Sequence, residues 1–323
     1  MPDCHLFTIR FGRPGSTGGR IRYILLASIM ATAGWPIPAS ALRQRATRKD
    51  PEVLHSLAHD IEALNVQEAA LEGMAHTMAA RVIQQLTMRD APKPVVIEID
   101  GIAGSGKTTL ARMLAEDLRQ LGYEVATDAA GALPGLEMFL KDPAWRKEER
   151  AGIIQRQQPY DETGFYDWGA IATFRQSIEA FRASQEPEAL VTVAHAYDIE
   201  QRRYGPRQFR LQKDAVVILE GPYVSRGAMA DIRYRIVNAR AKTLYMDRTR
   251  RLSPDDFENR DIFYDSAIMP TFERYAREHA ADYLIDLSSA NPAAWGVTAV
   301  GAVSPGEDLT SAIETFDTVS RSP

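Results

Sequence analysis

Eight residues constrain this chain more than any others. Gly101-Ile102-Ala103-Gly104-Ser105-Gly106-Lys107-Thr108 fits G-x-x-x-x-G-K-[ST] at every fixed position. The preceding segment, Val95-Val96-Ile97-Glu98-Ile99-Asp100, reads as a buried strand, apolar and β-branched apart from Glu98. A helix follows from about Lys107 to Leu121, closed by Gly122. A glycine-rich turn between a buried strand and a helix is the context in which this pattern holds phosphate. Glycine lets the backbone turn sharply and aim several N–H groups inward, beside the positive end of the helix. The expected nucleotide contacts are Gly101, Ala103, Gly104, Ser105, Gly106, Lys107, Thr108 and Thr109. The Lys107 ammonium is expected at the β- and γ-phosphates, and the Thr108 hydroxyl in the shell of Mg²⁺.

The rest of the chain is read around that loop. Tyr123–Thr127, Ala215–Leu219, Lys242–Met246 and Tyr283–Ile285 are expected strands, separated by helical or loop segments. That alternation predicts an α/β chain whose parallel sheet is sandwiched between helices, a three-layer P-loop NTPase fold. Asp50-Pro51 is a helix-start pair, and Leu54, Leu57, Ile61, Leu64, Leu71, Met78, Val82 and Leu86 form an apolar stripe. Asn65 is expected to cap a second helix there. The stripe packs on the main domain or on a second subunit, so a homo-oligomer built through these helices is one expectation. The predicted organisation is an extension over 1–50, a helical extension over 51–90, a catalytic domain over 91–290 and a tail over 291–323, flexible from Val303.

A formal net charge of -5 offers nucleic-acid phosphates no general attraction, so no nucleic-acid partner is expected. The single cysteine, Cys4, excludes an internal disulfide and any multi-cysteine metal site. Arg20 and Arg22 precede an apolar stretch, Tyr23–Trp35, and then Ala39-Ser40-Ala41, in the outline of a secretory signal. The stretch is too short for a membrane-spanning helix. A cleaved leader, a downstream start at Met30 and a loose extension all fit it. Use of ATP argues for the cytoplasm and no membrane partner.

Phosphoryl transfer needs positioning and charge neutralisation more than covalent chemistry from the protein. Val216-Val217-Ile218-Leu219-Glu220 places Glu220 at the end of an apolar strand, suited to help Thr108 hold the metal. Asp128 follows the second strand at the carboxyl edge of the sheet, where such sheets bind ligands, and is the candidate general base. An ordinary turn aspartate is the plainer role for it. Arg248, Arg250, Arg251 and Arg260 are candidates for a lid over the transferring phosphate, with Arg248 and Arg251 placed in catalysis. An Asn-Lys-x-Asp element is missing, which favours a kinase over a guanine-specific switch.

Several segments in order resemble the uridine kinase family, within the group that includes phosphoribulokinase and bacterial pantothenate kinase. They are Gly101–Thr109, Thr127-Asp128, Pro159–Trp168, Ala196–Ile199, Val217–Gly221, and Pro270–Tyr275 with Ala281–Ile285. The resemblance spans residues 95–286 and implies a five-stranded parallel sheet, ATP and Mg²⁺ as cosubstrates, and a nucleoside- or sugar-like acceptor hydroxyl. It implies Asp128 as base; Asp161 and Asp198 can hold acceptor hydroxyls, and Tyr160 and Tyr197 are either acceptor contacts or core aromatics. Asp128 is followed by Ala129-Ala130-Gly131, where the family carries aromatic residues. Tyr197-Asp198-Ile199 leads to Glu200-Gln201-Arg202-Arg203, where the family has a histidine that helps hold uracil. Phosphate-handling residues persist and base-recognition residues do not. The alternatives are a kinase for pantothenate or a sugar phosphate, and a nucleotide-regulated binding protein with a decayed acceptor pocket.

Overall fold

The computed structural model describes residues 51–88, 92–156, 160–199, 201–227, 229–252 and 257–300. The signal-like stretch, Met30, Asp50, Pro159 and the segment from 301 lie outside them. The chain divides into Met1–Ala63 and Leu64–Pro323. Of the first unit only the opening turns of a helix are described.

In chain order the elements begin with α1 (Pro51–Thr87), β1 (Val95–Gly101), α2 (Lys107–Gln120), α3 (Pro143–Arg156) and α4 (Trp168–Ala183). A hairpin follows, β2 (Glu188–Asp198) and β3 (Arg203–Gln212), then β4 (Val216–Glu220) and β5 (Ile232–Val237). Last come α5 (Ala241–Leu252), α6 (Phe257–Phe263), α7 (Met269–Glu278), β6 (Tyr283–Asp286) and β7 (Gly296–Ala299). The main sheet has five strands in the order β4-β1-β5-β6-β7. The first four are parallel, and β7 closes the far edge antiparallel to β6. No described helix is long and apolar enough to cross a membrane.

β1 lies inside the sheet between β4 and β5, and every residue in it is buried. Alternation along a strand sends its side chains to opposite faces. Val95, Ile97 and Ile99 join a core with Met74, Met78 and Val82 of α1 and Leu110, Leu114 and Leu118 of α2. Val96 packs into the other core, with Phe174 and Ile178 of α4 and Phe209 and Leu211 of β3. Helices therefore cover both faces. The described part of the α1 stripe, Leu71 to Leu86, packs on the chain's own sheet.

The second face also takes Glu98 and Asp100, which must find partners or remain uncharged. Arg175 Nη2 lies 3.2 Å from Glu98 Oε1. Burial still pushes the Glu98 pKa up to about 7 against the pull of Arg175. Asp100 is fully bound: Oδ2 accepts from Arg235 Nε at 3.1 Å and Nη2 at 2.9 Å, while Oδ1 accepts the Gly101 N–H at 2.7 Å. Arg235 also donates to Ala276 O at 2.9 Å and His279 O at 2.6 Å, at the C-terminal end of α7.

Three sequence expectations are corrected. Lys242–Met246 is not a strand but part of α5. Asn238 Oδ1 accepts the Arg240 N–H at 2.9 Å and its carbonyl accepts from Ala241 at 3.0 Å, starting a helix directly after β5. The strand beside β1 is Ile232–Val237, hidden in the sequence because Arg233 and Arg235 interrupt its apolar run. Asn65 does not open a second helix, since α1 runs through it. An interior Asn weakens a helix only by tenths of a kcal/mol, roughly 0.7 at most. Tyr123–Thr127 forms a single parallel bridge, Val125 to Val216, before Asp128 turns the chain away.

The Asp100–Arg235 pair yields a stability prediction. Arg235→Ala leaves a carboxylate buried without its counter-charge and should cost about 3–5 kcal/mol. Urea unfolding measures this, and a loss under 1 kcal/mol contradicts the role given to the pair.

Candidate active site

The glycine loop forms at the C-terminal end of β1. Gly104 has φ +86°, and a Cβ there would sit 2.1 Å from the Ala241 carbonyl oxygen. Only glycine fits so close an approach of loop to α5. Gly106, at φ +102°, precedes α2, and no side chain caps that helix. The first N–H groups of α2 therefore face the loop with their positive potential uncancelled. The loop is braced from behind. Ser105 N–H donates to Ile102 O at 3.1 Å, Asn238 Nδ2 to Ser105 O at 3.3 Å, and Tyr264 Oη to Ala103 O at 3.3 Å. Tyr264 begins a π-helical turn, Tyr264–Ile268, between α6 and α7.

Lys107 is buried and donates to Ile102 O at 2.9 Å. Burial lowers its pKa, opposed by the charges of Glu220, Glu137, Asp100 and Glu162. Thr108 is exposed, and its hydroxyl donates to Glu220 Oε1 at 3.2 Å across 112 residues of sequence. Glu220 and Glu162 are both in contact with solvent, yet both have pKa values pushed up to about 7, chiefly by desolvation. Lys107 pulls the Glu220 value down, and the Tyr223 hydrogen bond, Arg150 and Lys107 pull down that of Glu162. The pKa of the Tyr166 hydroxyl is raised by burial and by the charges of Glu162, Glu137 and Glu220.

The remaining sequence candidates fall into two groups. Asp128 Oδ1 accepts from the N–H groups of Ala130 and Ala132, both at 2.9 Å, which builds its own turn. Its Oδ2 faces Arg207 Nε at 3.7 Å. Arg207 Nη2 also reaches Asp198 Oδ2 at 3.5 Å, so one arginine draws Asp128 and Asp198 together. Tyr197, beside Asp198, is buried against Tyr204 with ring centroids 5.3 Å apart, and Arg146 lies 4.8 Å over its ring. Asp161 is spent locally: Oδ1 caps the turn at Thr163 and Oδ2 pairs with Arg274 at 2.7 Å. Tyr160 packs on Phe165 at 5.6 Å and its carbonyl accepts from Thr271 Oγ1.

Arg248 is an exposed residue within α5, not in a loop after a strand as the sequence suggested. Arg250 stacks over Phe257 at 4.5 Å, Arg260 reaches Tyr245 Oη at 3.3 Å, and the side chain of Arg251 lies outside the described residues. His195 is exposed, at the bulge between Val193 and Ala196. Sequence reasoning passed over Glu137, Glu162 and Tyr166. Glu162 and Tyr166 fall inside the quoted segment Pro159–Trp168, where attention went to the aspartate instead. Glu137 sits in a short turn, Leu136–Phe139, without a sequence signature.

Neither a family model nor a curated relative matches the sequence. Solved structures with a similar fold include a possible uridine kinase from Bacillus stearothermophilus, 17% identical, covering 65% of this chain and 96% of that one, with a TM-score of 0.42. A candidate fructose transport system kinase from Silicibacter sp. is 17% identical over 65% of this chain and 98% of that one, with a TM-score of 0.45. D-glycerate 3-kinase from Cryptococcus neoformans is 12% identical over 66% and 95%, with a TM-score of 0.42.

The raised carboxylates fix the direction of a pH effect. Glu98, Glu162 and Glu220 move from an ordinary 4.5 up to about 7, so between these limits the folded state binds more protons than the unfolded one. These three groups make stability fall as pH rises through that window, with His279, whose pKa burial lowers, acting in the opposite sense. At about 1.4 kcal/mol per pKa unit, the ligand-free protein should lose on the order of 1–3 kcal/mol between pH 6 and pH 8. Denaturant unfolding at the two values checks this; equal or greater stability at pH 8 contradicts it.

Proposed function

We propose that the protein is an ATP-dependent kinase that transfers the γ-phosphate to a hydroxyl of a small polar acceptor, nucleoside- or sugar-like. One observation carries the reading: the uncapped N-terminus of α2, wrapped by Gly104 and Gly106, with Lys107 and the Thr108–Glu220 pair at its mouth. Backbone N–H groups of Ala103 to Thr109 bind phosphate oxygens there, and Lys107 neutralises the β- and γ-phosphates.

A hydroxyl beside a carboxylate is a hard-oxygen donor pair suited to Mg²⁺, which keeps water and substrate phosphate for its other positions. Among the described residues no group of three or more His, Cys, Asp or Glu could hold a metal, so a site shared with the nucleotide is the fitting one. When bound, the ion offsets negative charge on the phosphates.

Asp128 takes the hydroxyl proton through Oδ2 while Oδ1 stays bound to its turn, and Arg207 orients it. The hydroxyl oxygen bonds to the γ-phosphorus as the bond to the β–γ bridging oxygen breaks, giving phosphorylated acceptor and ADP. Tyr197 and Asp198 form the hairpin side of the acceptor site, while Tyr160 and Asp161 back the opposite wall. Arginines of α5, Arg248 and Arg251, approach the phosphate only if that helix closes as a lid. ATP places the reaction in the cytoplasm.

The commitment of Asp128 Oδ1 and of Asp161 to local turns favours a second reading, a nucleotide-regulated binding protein. Assaying ADP release against uridine, ribose, fructose, glycerate, pantothenate and a pentose phosphate separates the two. A kinase shows acceptor-dependent turnover; the regulator shows slow hydrolysis indifferent to every compound. Lys107→Ala should abolish turnover, and Asp128→Asn should lower kcat by about 10²–10⁴. A fully active Asp128→Asn enzyme removes Asp128 as the base.

A further inference from the structure

Glu162 stands out because the fold holds its carboxylate in place without using all of it. The backbone is fixed by its N–H, which donates to Thr271 Oγ1 at 3.0 Å, while the same hydroxyl donates to Tyr160 O at 2.9 Å. The Tyr223 hydroxyl donates to Oε2. Tyr223 is itself locked among Tyr166, Phe272 and Tyr275, with ring centroids 6.1, 6.1 and 5.3 Å away. It sits at φ +67°, a conformation that costs a tyrosine strain. Oε1 accepts no hydrogen bond from any described residue, and Glu162 keeps contact with solvent within reach of the field of Lys107.

We propose that Glu162 is a specificity-determining residue of the acceptor pocket, whose Oε1 accepts hydrogen bonds from the phospho-acceptor. This rests on the phosphotransfer reading above. In its ionised form, which the charges of Arg150 and Lys107 favour against desolvation, the carboxylate only accepts hydrogen bonds and repels negative charge. The end of the substrate that reaches Glu162 therefore carries O–H donors and no carboxylate or phosphate. Asp161, its neighbour, cannot serve in this way with one oxygen in a cap and the other on Arg274. Tyr223 is a positioning residue that acts through Glu162.

Steady-state kinetics of the full chain test this, using whichever of uridine, ribose or fructose is turned over. Glu162→Gln should raise KM for that compound about 10–100-fold, the range expected for a lost hydrogen bond to a charged group, while KM for ATP moves less than about twofold. Tyr223→Phe, which frees the carboxylate without removing it, should raise the same KM by a smaller factor. An unchanged acceptor KM in Glu162→Gln overturns the assignment while leaving the kinase reading intact. So does a parallel rise in both KM values with a lowered melting temperature, the mark of a structural residue. Turnover of glycerate, pantothenate or a pentose phosphate but not of uridine, ribose or fructose overturns the assignment and leaves the kinase reading intact; if wild type binds ATP but turns over none of the six, the kinase reading fails and this inference with it.

Discussion

The buried pair between Asp100 and Arg235 is the constraint on which the site depends. Asp100 is the last side chain of β1 before the glycine loop, and it holds the first N–H of that loop with one oxygen and Arg235 with the other. Arg235 in turn binds two carbonyls at the end of α7. A single desolvated ion pair thus links the central strand, its neighbour β5, the start of the loop and a helix from the C-terminal half. Burying such charges is costly unless they are well matched, and here both carboxylate oxygens and all three guanidinium nitrogens have partners. The result is a loop whose departure from the sheet is fixed before any ligand arrives.

Beyond the loop the electrostatics change character. Lys107 is a cation weakened by burial, facing carboxylates that burial has driven towards neutrality. None of these groups is comfortable in the ligand-free protein. A polyanion with its counter-cations satisfies Lys107 and the helix N-terminus, and offers the Thr108–Glu220 pair a positive partner. Apart from Glu98 in the core, the carboxylates raised to about 7 gather around the loop.

Much of this was legible in the sequence where one local rule decides the outcome. The run from Val95 through Gly122 fixed strand, loop and helix, because burial, glycine geometry and helix capping all agree there. The end of β4 at Glu220 followed for the same reason. Legibility failed where a tertiary contact overrides the local pattern. Ile232–Val237 looks too basic for an inner strand until Asp100 is seen to absorb Arg235, and Lys242–Met246 looks like a strand until Asn238 is seen to start a helix. At the site, Asp161 attracted notice as an aspartate in a familiar setting, yet it caps a turn while Glu162 beside it is held by Tyr223 and Thr271. That hold depends on residues more than sixty and a hundred positions away. No spacing rule encodes it.

Amide hydrogen exchange with and without ATP and magnesium tests the central claim most directly. If the loop binds a triphosphate through its backbone, protection should increase most for the N–H groups of residues 103–109, with smaller changes on the outer helices. Unchanged exchange across those residues at saturating nucleotide would contradict the account.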